Sequence, residues 1–541
     1  MSREKNNFLV QGSILAVAGV LVRIIGIIYR VPVNNIIGET GAAYYSAAYN
    51  VYSLFLLISS MSMPLAVSKI VSAKLARGEI KNAYKAFSGA IAIGLALGIV
   101  TFCLMYFGAD FWAGLWGFPS AAPAIKVLAP VVFIMSVLGV LRGFFQGIGT
   151  MMPTAISQIL EQIANAIISI IGAIYLFDAG RNATESAMLG AAGSTMGTLA
   201  GAAVALIFLS IVFVIYLPVL KRQIARNRGV REEDFGSLSK ELIMTIAPVL
   251  LSTTLYNLSG LFDSGVYGNI CEKFYGLKEA EYAAVYGVYS GHFKLLTTAP
   301  IAIASALSSA IIPSVIRSVT AGDRRGTIKK LESSMRLTMI IAIPAGMGLS
   351  VLAEPIIKML FGAELINEST NIMRFAVLTV VFYSMSTISN AFLQGIDKMH
   401  MPIINSAIAI VIHYIVLIGG LFVAGPSIYV VVIADMLYAF AVCLLNSSAV
   451  YKFIRYRQEI LKTFVLPLVS AAIMGAVSIG VYYLLYTFTG MNILACLVAI
   501  LVAVIVYALS LLLVRGIGED EICMLPKGRS IANVLKRTGL L

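Results

Sequence analysis

Fourteen stretches of about 20 mostly apolar residues follow one another along the chain, and this pattern constrains the fold more than any other feature. A helix of that length crosses the hydrocarbon core of a bilayer, so the sequence predicts an all-α integral membrane protein. The predicted spans cover residues 8–30, 43–66, 86–106, 124–146, 153–177, 189–219, 241–265, 284–312, 336–360, 371–394, 402–424, 428–450, 463–487 and 491–514.

The charged residues predict the orientation of these spans. With the N-terminus inside, 30 of the 39 Lys and Arg residues fall in segments predicted to be cytoplasmic, which places both termini in the cytoplasm. The net charge of +13 therefore reflects membrane topology, and we expect no nucleic-acid partner. The first apolar stretch has no small-residue cleavage site, which predicts a retained helix rather than a signal peptide.

Several classes of function are disfavoured by the sequence. The five cysteines lack CxxC spacing and the three histidines do not cluster with acids, so we expect neither a metal site nor a disulfide framework. No phosphate-binding G-x-x-x-x-G-K-[ST] motif occurs, and no polar segment is long enough for a soluble domain. We therefore expect no cofactor, no ATP hydrolysis and no enzymatic activity.

The chain repeats itself at long range. The segments FFQGIGTMMP at 144–153 and FLQGIDKMHMP at 392–402 share F-x-Q-G-I followed by Met and Pro. YNVYS at 49–53 recurs as YGVYS at 286–290. Because six spans separate the copies, the halves should share one orientation and be related by a pseudo-twofold axis along the membrane normal.

The repeat predicts the domain organisation. We expect two lobes of six helices, a basic cytoplasmic linker between them, two additional helices and a cytoplasmic tail. The predicted ranges are 1–220 for the first lobe, 221–240 for the linker, 241–450 for the second lobe, 451–515 for helices 13 and 14, and 516–541 for the tail.

These features together resemble the multidrug/oligosaccharidyl-lipid/polysaccharide (MOP) exporter superfamily. The closest resemblance is to its polysaccharide-biosynthesis branch, which contains stage V sporulation protein B and the MurJ-like lipid II flippases. The resemblance rests on the 6+6+2 helix pattern, the paired F-x-Q-G motifs, the Pro-led basic loops and an Arg-bearing first helix. It implies the MOP flippase fold and basic residues on helices 1, 2 and 8 in a central cavity.

Arg23 and Arg30 stand out in the first span. A charge near the centre of a membrane helix costs roughly 2.5 to 3.5 kcal/mol, so Arg23 predicts a functional role. Arg30 lies at the predicted outer end, where snorkelling to the interface is the alternative. Both belong to one helical stripe with small residues, which predicts either close helix packing or a cavity wall. The stripe contains Gly12, Ala16, Gly19, Arg23, Gly26 and Arg30.

Lys294 is the corresponding cation of helix 8. It lies near the predicted centre of the span, on a face with Tyr286, Ser290 and Thr297. The resemblance implies a cavity arginine at this position, so the charge agrees although the residue type differs. We expect Arg23, Arg30 and Lys294 to bind an anionic substrate, because central cations suit a diphosphate rather than a cationic drug.

Three intramembrane acids complete the set of candidates. Asp263 ends a polar face of helix 7 with Ser252, Tyr256 and Ser259, and is a candidate gate or ion-pair partner of Arg23 or Arg30. Glu161 and Asp435 are candidates for binding a coupling ion. Each of these two is equally compatible with hydrogen bonds to neighbours such as Gln158, Gln162 or Tyr438. Helix 2 carries no charge, and its Tyr45, Tyr49 and Tyr52 fit either the cavity or packing.

The expected function is that of a flippase in the bacterial cytoplasmic membrane. The resemblance implies movement of an undecaprenyl-diphosphate-linked precursor, with lipid II as the first candidate, from the inner to the outer leaflet by alternating access. Another lipid-linked polysaccharide unit, or a small molecule in a cation-coupled multidrug antiporter, is the alternative. We expect membrane lipids as partners, a monomer, and coupling to the membrane potential, H⁺ or Na⁺. The sequence leaves open which sugar is carried and whether the role is vegetative or sporulation-specific.

Overall fold

The structure is a computed structural model that describes residues 2–60, 63–226, 233–234, 236–237, 240–241, 244, 260–362 and 365–518. Throughout these residues the regular secondary structure is helical, without a strand. The chain forms two compact units, Met1–Gly287 and Val288–Leu541. The lobe boundary that the repeat places at 221–240 stays a prediction.

The first unit is a bundle of long membrane helices with shorter helices at their ends. Its helices are α1 Ser2–Ser59, α2 Met63–Ala76, α3 Ile80–Phe107, α4 Ala109–Leu115, α5 Ala122–Gly147, α6 Met152–Asp178, α7 Ala183–Arg226, α8 Asp263–Lys273 and α9 Glu279–Gly287.

Helix α1 contains the first predicted span and most of the second, whose last residues belong to α2. The break expected after residue 30 is absent, since the helix runs through Pro32 to a kink at Gly38. Proline is tolerated in membrane helices because neighbouring groups satisfy the freed carbonyl. Gly38 has φ 66°, a left-handed conformation that costs a glycine little because it has no Cβ. The helix therefore continues past residue 30, the predicted end of the first span, as far as the kink at Gly38.

Small residues allow a very close helix contact within the first unit. A Cβ placed on Gly193 of α7 would lie 2.0 Å from the carbonyl oxygen of Gly172 on α6. Gly197 likewise lies against Ser169 and Asn165 of α6. In lipid, such small-residue contacts hold helices together through close backbone approach.

The second unit begins with a π-helical turn, Val288–Phe293, that runs directly into a long helix. A second π-helical turn spans Leu461–Val465. The α-helices of this unit are α10 Lys294–Thr320, α11 Arg324–Val351, α12 Ala353–Leu360, α13 Ile366–Met373, α14 Ala376–Gly395, α15 His400–Ala424, α16 Ile428–Ile454, α17 Leu466–Thr489 and α18 Asn492–Leu513.

Helices α17 and α18, the predicted helices 13 and 14, pack into the core of the second unit. Met474 of α17 and Tyr507 of α18 belong to the same buried cluster as Met339 and Ile340 of α11. The Tyr507 hydroxyl donates a hydrogen bond to the carbonyl oxygen of Ile340 at 2.8 Å. These two helices are therefore a structural part of the second unit.

Eleven helices among the described residues are long and apolar enough to cross a membrane. They account for twelve of the fourteen predicted spans, because the first two fall in one helical segment, Ala18–Ala76. The predicted span 241–265 lies mostly outside the described residues, and the span at 284–312 is divided between α9, the π-helical turn and α10. The protein is thus a multi-pass helical membrane protein, and the count of fourteen stays a prediction.

Candidate functional site

Arg30 lies in an aromatic environment within the first unit. Its guanidinium carbon is 5.5 Å from the ring centroids of both Tyr45 and Tyr49, across the Gly38 kink of α1. Tyr49 also forms a hydrogen bond with the Thr198 hydroxyl of α7. Cation–π contacts of this kind stabilise a partly buried charge without neutralising it. Arg30 lies within a continuous helix, eight residues before the kink at Gly38.

Arg23 lies two turns earlier on α1 and is exposed. The surroundings of Gly12 and Ala16, which belong to the predicted stripe, are not described by the structure. Gly26, between the two arginines, approaches α6, because a Cβ there would lie 3.2 Å from the Gln162 side-chain nitrogen. The stripe therefore packs closely against α6 at Gly26.

Glu161 has a partner that the sequence analysis did not assign to it. Arg142 of α5 donates from Nη2 to the Glu161 carboxylate of α6 at 2.6 Å, and from Nε to the Ser157 hydroxyl at 3.1 Å. The Arg142 side chain is buried. One signal was available: the two residues lie on consecutive helices joined by the short α5–α6 turn. We define this group as the Arg142–Glu161 pair.

Lys294 and Asp435, which were separate candidates, lie together in the second unit. Lys294 Nζ donates to Asp435 Oδ2 at 2.9 Å, joining α10 to α16. Tyr383 of α14 donates from its hydroxyl to the other carboxylate oxygen. Asp435 thus accepts hydrogen bonds from two other helices, and the sequence analysis did not suggest Tyr383 as one of the donors. We call these residues the Lys294–Asp435–Tyr383 triad.

The two ends of the ion pair differ in accessibility. The Lys294 side chain is 36% exposed and the Asp435 side chain 3% exposed. The ammonium also lies 5.4 Å from the Tyr289 ring centroid and 5.7 Å from that of Tyr383. An ammonium has three N–H donors, and Asp435 uses one of them. Lys294 can therefore contact an anion while its counter-ion remains buried.

The π-helical turn explains the position of Lys294. The π-helical turn Val288–Phe293 contains one residue more than a regular α-helical turn, and it lies immediately before Lys294, the first residue of α10. Such turns shift the register of the side chains that follow and are frequent at functional sites. Sequence periodicity assumed a regular helix here and could not have located this change.

Asp263 is buried in the first turn of α8. Its neighbour Ser264 lies 3.3 Å from the Asn50 amide of α1, so this end of α8 contacts the second half of α1. The other members of the predicted polar face, Ser252, Tyr256 and Ser259, lie outside the described residues. Among the residues that are described, no group of three or more His, Cys, Asp or Glu could hold a metal ion.

Comparison with known proteins places this architecture in a family. The model of the polysaccharide biosynthesis protein family matches residues 9–319, and the MatE family model matches residues 248–418. The chain is 26% identical to the lipid II flippase MurJ of Bacillus subtilis (strain 168) over 491 residues, covering 86% of this chain and 87% of that protein. It is also 26% identical to stage V sporulation protein B of the same organism over 532 residues, covering 96% and 98%.

A solved structure shares the fold. The lipid II flippase MurJ in an inward closed conformation superposes with a TM-score of 0.66 at 18% identity, covering 92% of this chain and 97% of that one. The family match extends over more than half of the sequence, and the helical fold agrees with it. The chain therefore belongs to the polysaccharide biosynthesis protein family and is a membrane transporter of the MOP superfamily.

Proposed function

We propose that this chain translocates an undecaprenyl-diphosphate-linked cell-envelope precursor, with lipid II as the first candidate, from the inner to the outer leaflet of the bacterial cytoplasmic membrane by alternating access. The observation that carries this proposal is the accessibility of Lys294 beside its buried counter-ion. A diphosphate accepts charge-assisted hydrogen bonds, which are stronger than neutral ones. Lys294 offers such donors within a predicted membrane span.

The Lys294–Asp435–Tyr383 triad suggests how the diphosphate is bound and released. The substrate competes with the Asp435 carboxylate for the Lys294 ammonium, since both are oxyanions. While substrate is bound to Lys294, the Asp435 carboxylate loses part of its ion pair. The hydrogen bond that the Tyr383 hydroxyl donates to Asp435 then stabilises this carboxylate. When the Lys294–Asp435 contact re-forms, it assists release. By competing for Lys294, the Asp435 carboxylate thus limits the affinity for substrate and allows its release.

The arginines of α1 contribute from the first unit. A guanidinium presents five donors in a fixed fork that matches phosphate geometry, whereas an ammonium acts as a point charge. The tyrosine rings around Arg30 hold its guanidinium without supplying a carboxylate that would compete with substrate. We assign Arg30 and Arg23 to diphosphate binding on this basis.

The alternative of a cation-coupled multidrug antiporter is less well supported by the charges. A site for a cationic drug needs an accessible acid, but in the triad the base is accessible and the acid is buried. Ion coupling remains compatible with the flippase proposal. Glu161 and Asp435 each hold a basic partner, so binding of H⁺ or Na⁺ at either acid would first weaken an ion pair.

The first test is equilibrium binding of an undecaprenyl-diphosphate-linked disaccharide to the purified chain. Each charge-assisted contact contributes about 1.5 to 3 kcal/mol. At about 1.4 kcal/mol per decade, Arg23→Ala, Arg30→Ala and Lys294→Ala should each weaken binding roughly 10- to 100-fold. Lys294→Arg should retain binding because the charge is kept.

The matched control is Lys358→Ala, which removes a half-exposed lysine of the second unit that pairs with Glu354 at 2.5 Å. Its affinity should equal that of the wild type. Unchanged affinity in a double Arg23→Ala/Lys294→Ala variant would overturn the diphosphate proposal. The sugar is identified separately, by depleting the protein in its host and determining which lipid-linked precursor accumulates in the inner leaflet.

A further inference from the structure

A cavity of about 520 Å³ lies within the second unit, away from the triad, where the ends of four long helices meet. Its walls come from the α10–α11 turn, the turn after α14 and the end of α16. Four basic residues line it, and we call it the basic end cavity. They are Arg324, Lys398, Lys452 and Arg455. A cavity of this size matches known small-ligand sites, which measure roughly 300 to 1,000 Å³.

The acid in the cavity wall is already engaged by the backbone. Asp323 caps α11 by accepting a hydrogen bond from the Gly326 amide on Oδ1 at 2.8 Å. Its carboxylate therefore compensates the helix N-terminus rather than the four cations. The cavity keeps a strong excess of positive charge.

The four cations have few partners among the described residues. Arg324 donates from Nη2 to the carbonyl oxygen of Ile454 at 3.1 Å, which uses one of its five donors. Lys398 Nζ lies 5.2 Å from the Phe453 ring centroid. Within the described part of the chain, none of the four forms an ion pair with a carboxylate. Most of their donors are available to a ligand.

The backbone of the cavity is strained at two charged positions. Arg455 ends α16 in the left-handed region with φ 56°, and Asp397 has φ 60° immediately before Lys398. A glycine is favoured there, because a Cβ disfavours this conformation. Of the three non-glycine residues with positive φ in the described chain, these two lie at the cavity. An arginine occupies position 455 although this backbone conformation favours glycine, which points to a functional role for its charge.

At the corresponding end of the first unit, glutamates of the same chain neutralise a basic side chain. Lys74 lies in the last turn of α2, and the segment KLARGEIK at 74–81 resembles VTAGDRRGTIK at 319–329 around the α10–α11 turn. Its buried ammonium contacts the carboxylates of Glu79, Glu233 and Glu241. The second unit has no such set of acids at its basic end cavity among the described residues. The positive-inside pattern alone does not explain this difference, because it favours bases in both loops.

We propose that the basic end cavity binds the phosphate of an anionic phospholipid headgroup. The cavity lies at helix ends that the charge pattern predicts to be cytoplasmic, where basic pockets between membrane helices bind such headgroups. Exposed apolar side chains continue from it along α10, including Val319 and Ile316, and these suit acyl chains. A free phosphate shares the same chemistry, so the test separates the two sources. The proposal is independent of which substrate the protein transports.

The experiment measures lipid binding to the full chain in lipid-free detergent micelles, using phosphatidylglycerol, phosphatidylcholine and inorganic phosphate as probes. We expect phosphatidylglycerol to bind and to raise the Tm, and the other two to do neither at equal concentration. Each cation near a membrane surface contributes about 1 kcal/mol, so one substitution should weaken binding about fivefold. The combined Arg324→Gln, Lys452→Gln and Arg455→Gln variant should lose about 100-fold.

Arg455→Gly and Arg515→Gly form a matched pair. Both positions follow a membrane helix with positive φ, at 56° and 53°, so glycine relieves the same backbone strain in each. Arg455 lines the cavity and Arg515 is not among its lining residues. Arg455→Gly should lose affinity for phosphatidylglycerol while keeping or gaining intrinsic stability, and Arg515→Gly should bind as the wild type does. Equal loss in both, no loss in Arg455→Gly, or equal binding of phosphatidylcholine would overturn the proposal. Competition by inorganic phosphate would overturn the assignment to lipid.

Discussion

At the scale of single residues, the structure places two of the candidate acids in ion pairs with bases from another helix. Asp435 pairs with Lys294, and Glu161 pairs with Arg142. A charge inside a membrane protein is stabilised by such a partner, and removing one partner leaves the other uncompensated. The two pairs differ in exposure, because Lys294 is accessible whereas Arg142 is buried. This difference leads to opposite expectations for their variants.

Asp435→Asn should bind the lipid-linked diphosphate more tightly than the wild type. The substitution removes the carboxylate that competes for Lys294 and keeps a side chain of the same size. We expect affinity to rise about 10-fold, at about 1.4 kcal/mol per decade, and the transport rate to fall because release is slower. Binding and transport are measured on the same preparation. A variant that binds more weakly and also transports more slowly would contradict competition for Lys294.

The Arg142–Glu161 pair predicts a stability effect instead. Glu161→Ala leaves a buried guanidinium without its counter-ion and should destabilise the protein by roughly 3 to 5 kcal/mol. A double Arg142→Met/Glu161→Leu variant should recover most of the Tm, because apolar replacement of a buried pair is often neutral. Transport by the stable double variant then decides the role of Glu161. Wild-type ion dependence would mean that the pair is structural, and lost ion dependence would mean that Glu161 binds the coupling ion.

At the scale of elements, close backbone contacts hold the short helices of the first unit in place. The Trp116 indole nitrogen donates to the Leu261 carbonyl oxygen at 2.8 Å, and Tyr282 donates to the Gly117 carbonyl oxygen at 2.9 Å. Ser120 donates to Glu279 from both its amide and its hydroxyl. The turn after α4 is therefore fastened to α8 and α9 by hydrogen bonds that no apolar periodicity encodes.

Gly268→Ala tests this contact. A Cβ at Gly268 would lie 2.4 Å from the Gly117 carbonyl oxygen and 2.9 Å from its Cα, and backbone atoms cannot rotate away. We expect destabilisation of about 1 to 3 kcal/mol, seen as a lower Tm. Gly114→Ala is the control, because a Cβ there meets nothing within 4 Å. Equal Tm values for the two variants would show that the contact between Gly268 and Gly117 accommodates a methyl group without loss of stability.

The role of α17 and α18 is best tested by substitutions on their exposed surface. Because α17 and α18 share the buried core of α11, removing them would expose that core and unfold the second unit. The exposed apolar residues of α18, such as Leu501 and Val504, can instead be substituted to test whether this surface contacts the polyprenyl chain of the proposed substrate. Substitution of both by Ser changes the lipid-facing surface and leaves the core contact through Tyr507 intact.

At the scale of the whole molecule, the family match makes this chain a membrane transporter, and the sequence contains no phosphate-binding G-x-x-x-x-G-K-[ST] motif. We therefore expect the drive for transport to come from the membrane potential, an ion gradient or downstream consumption of the product. The bases and acids within the spans are the groups through which such a drive can act.

Transport should proceed without ATP. Proteoliposomes that contain only this chain should move a fluorescent undecaprenyl-diphosphate-linked sugar between leaflets, and imposing a membrane potential or an H⁺ or Na⁺ gradient should change the rate. Adding ATP inside and outside should have no effect. A strict requirement for ATP would contradict this expectation, and liposomes without protein provide the background rate.

The sequence by itself determined that the chain is a helical membrane protein, because a run of about 20 apolar residues has few alternatives to a membrane-spanning helix. It also determined the candidates Arg30, Lys294 and Asp435, because charges are costly in that setting and stand out. Only the tertiary structure decided which charges meet. Lys294 and Asp435 are 141 residues apart, and their 2.9 Å contact depends on helix rotation, the π-helical turn and the packing of α10 against its neighbours. Hydropathy indicates that a helix lies in the membrane, but it does not indicate which neighbouring residue each polar side chain faces.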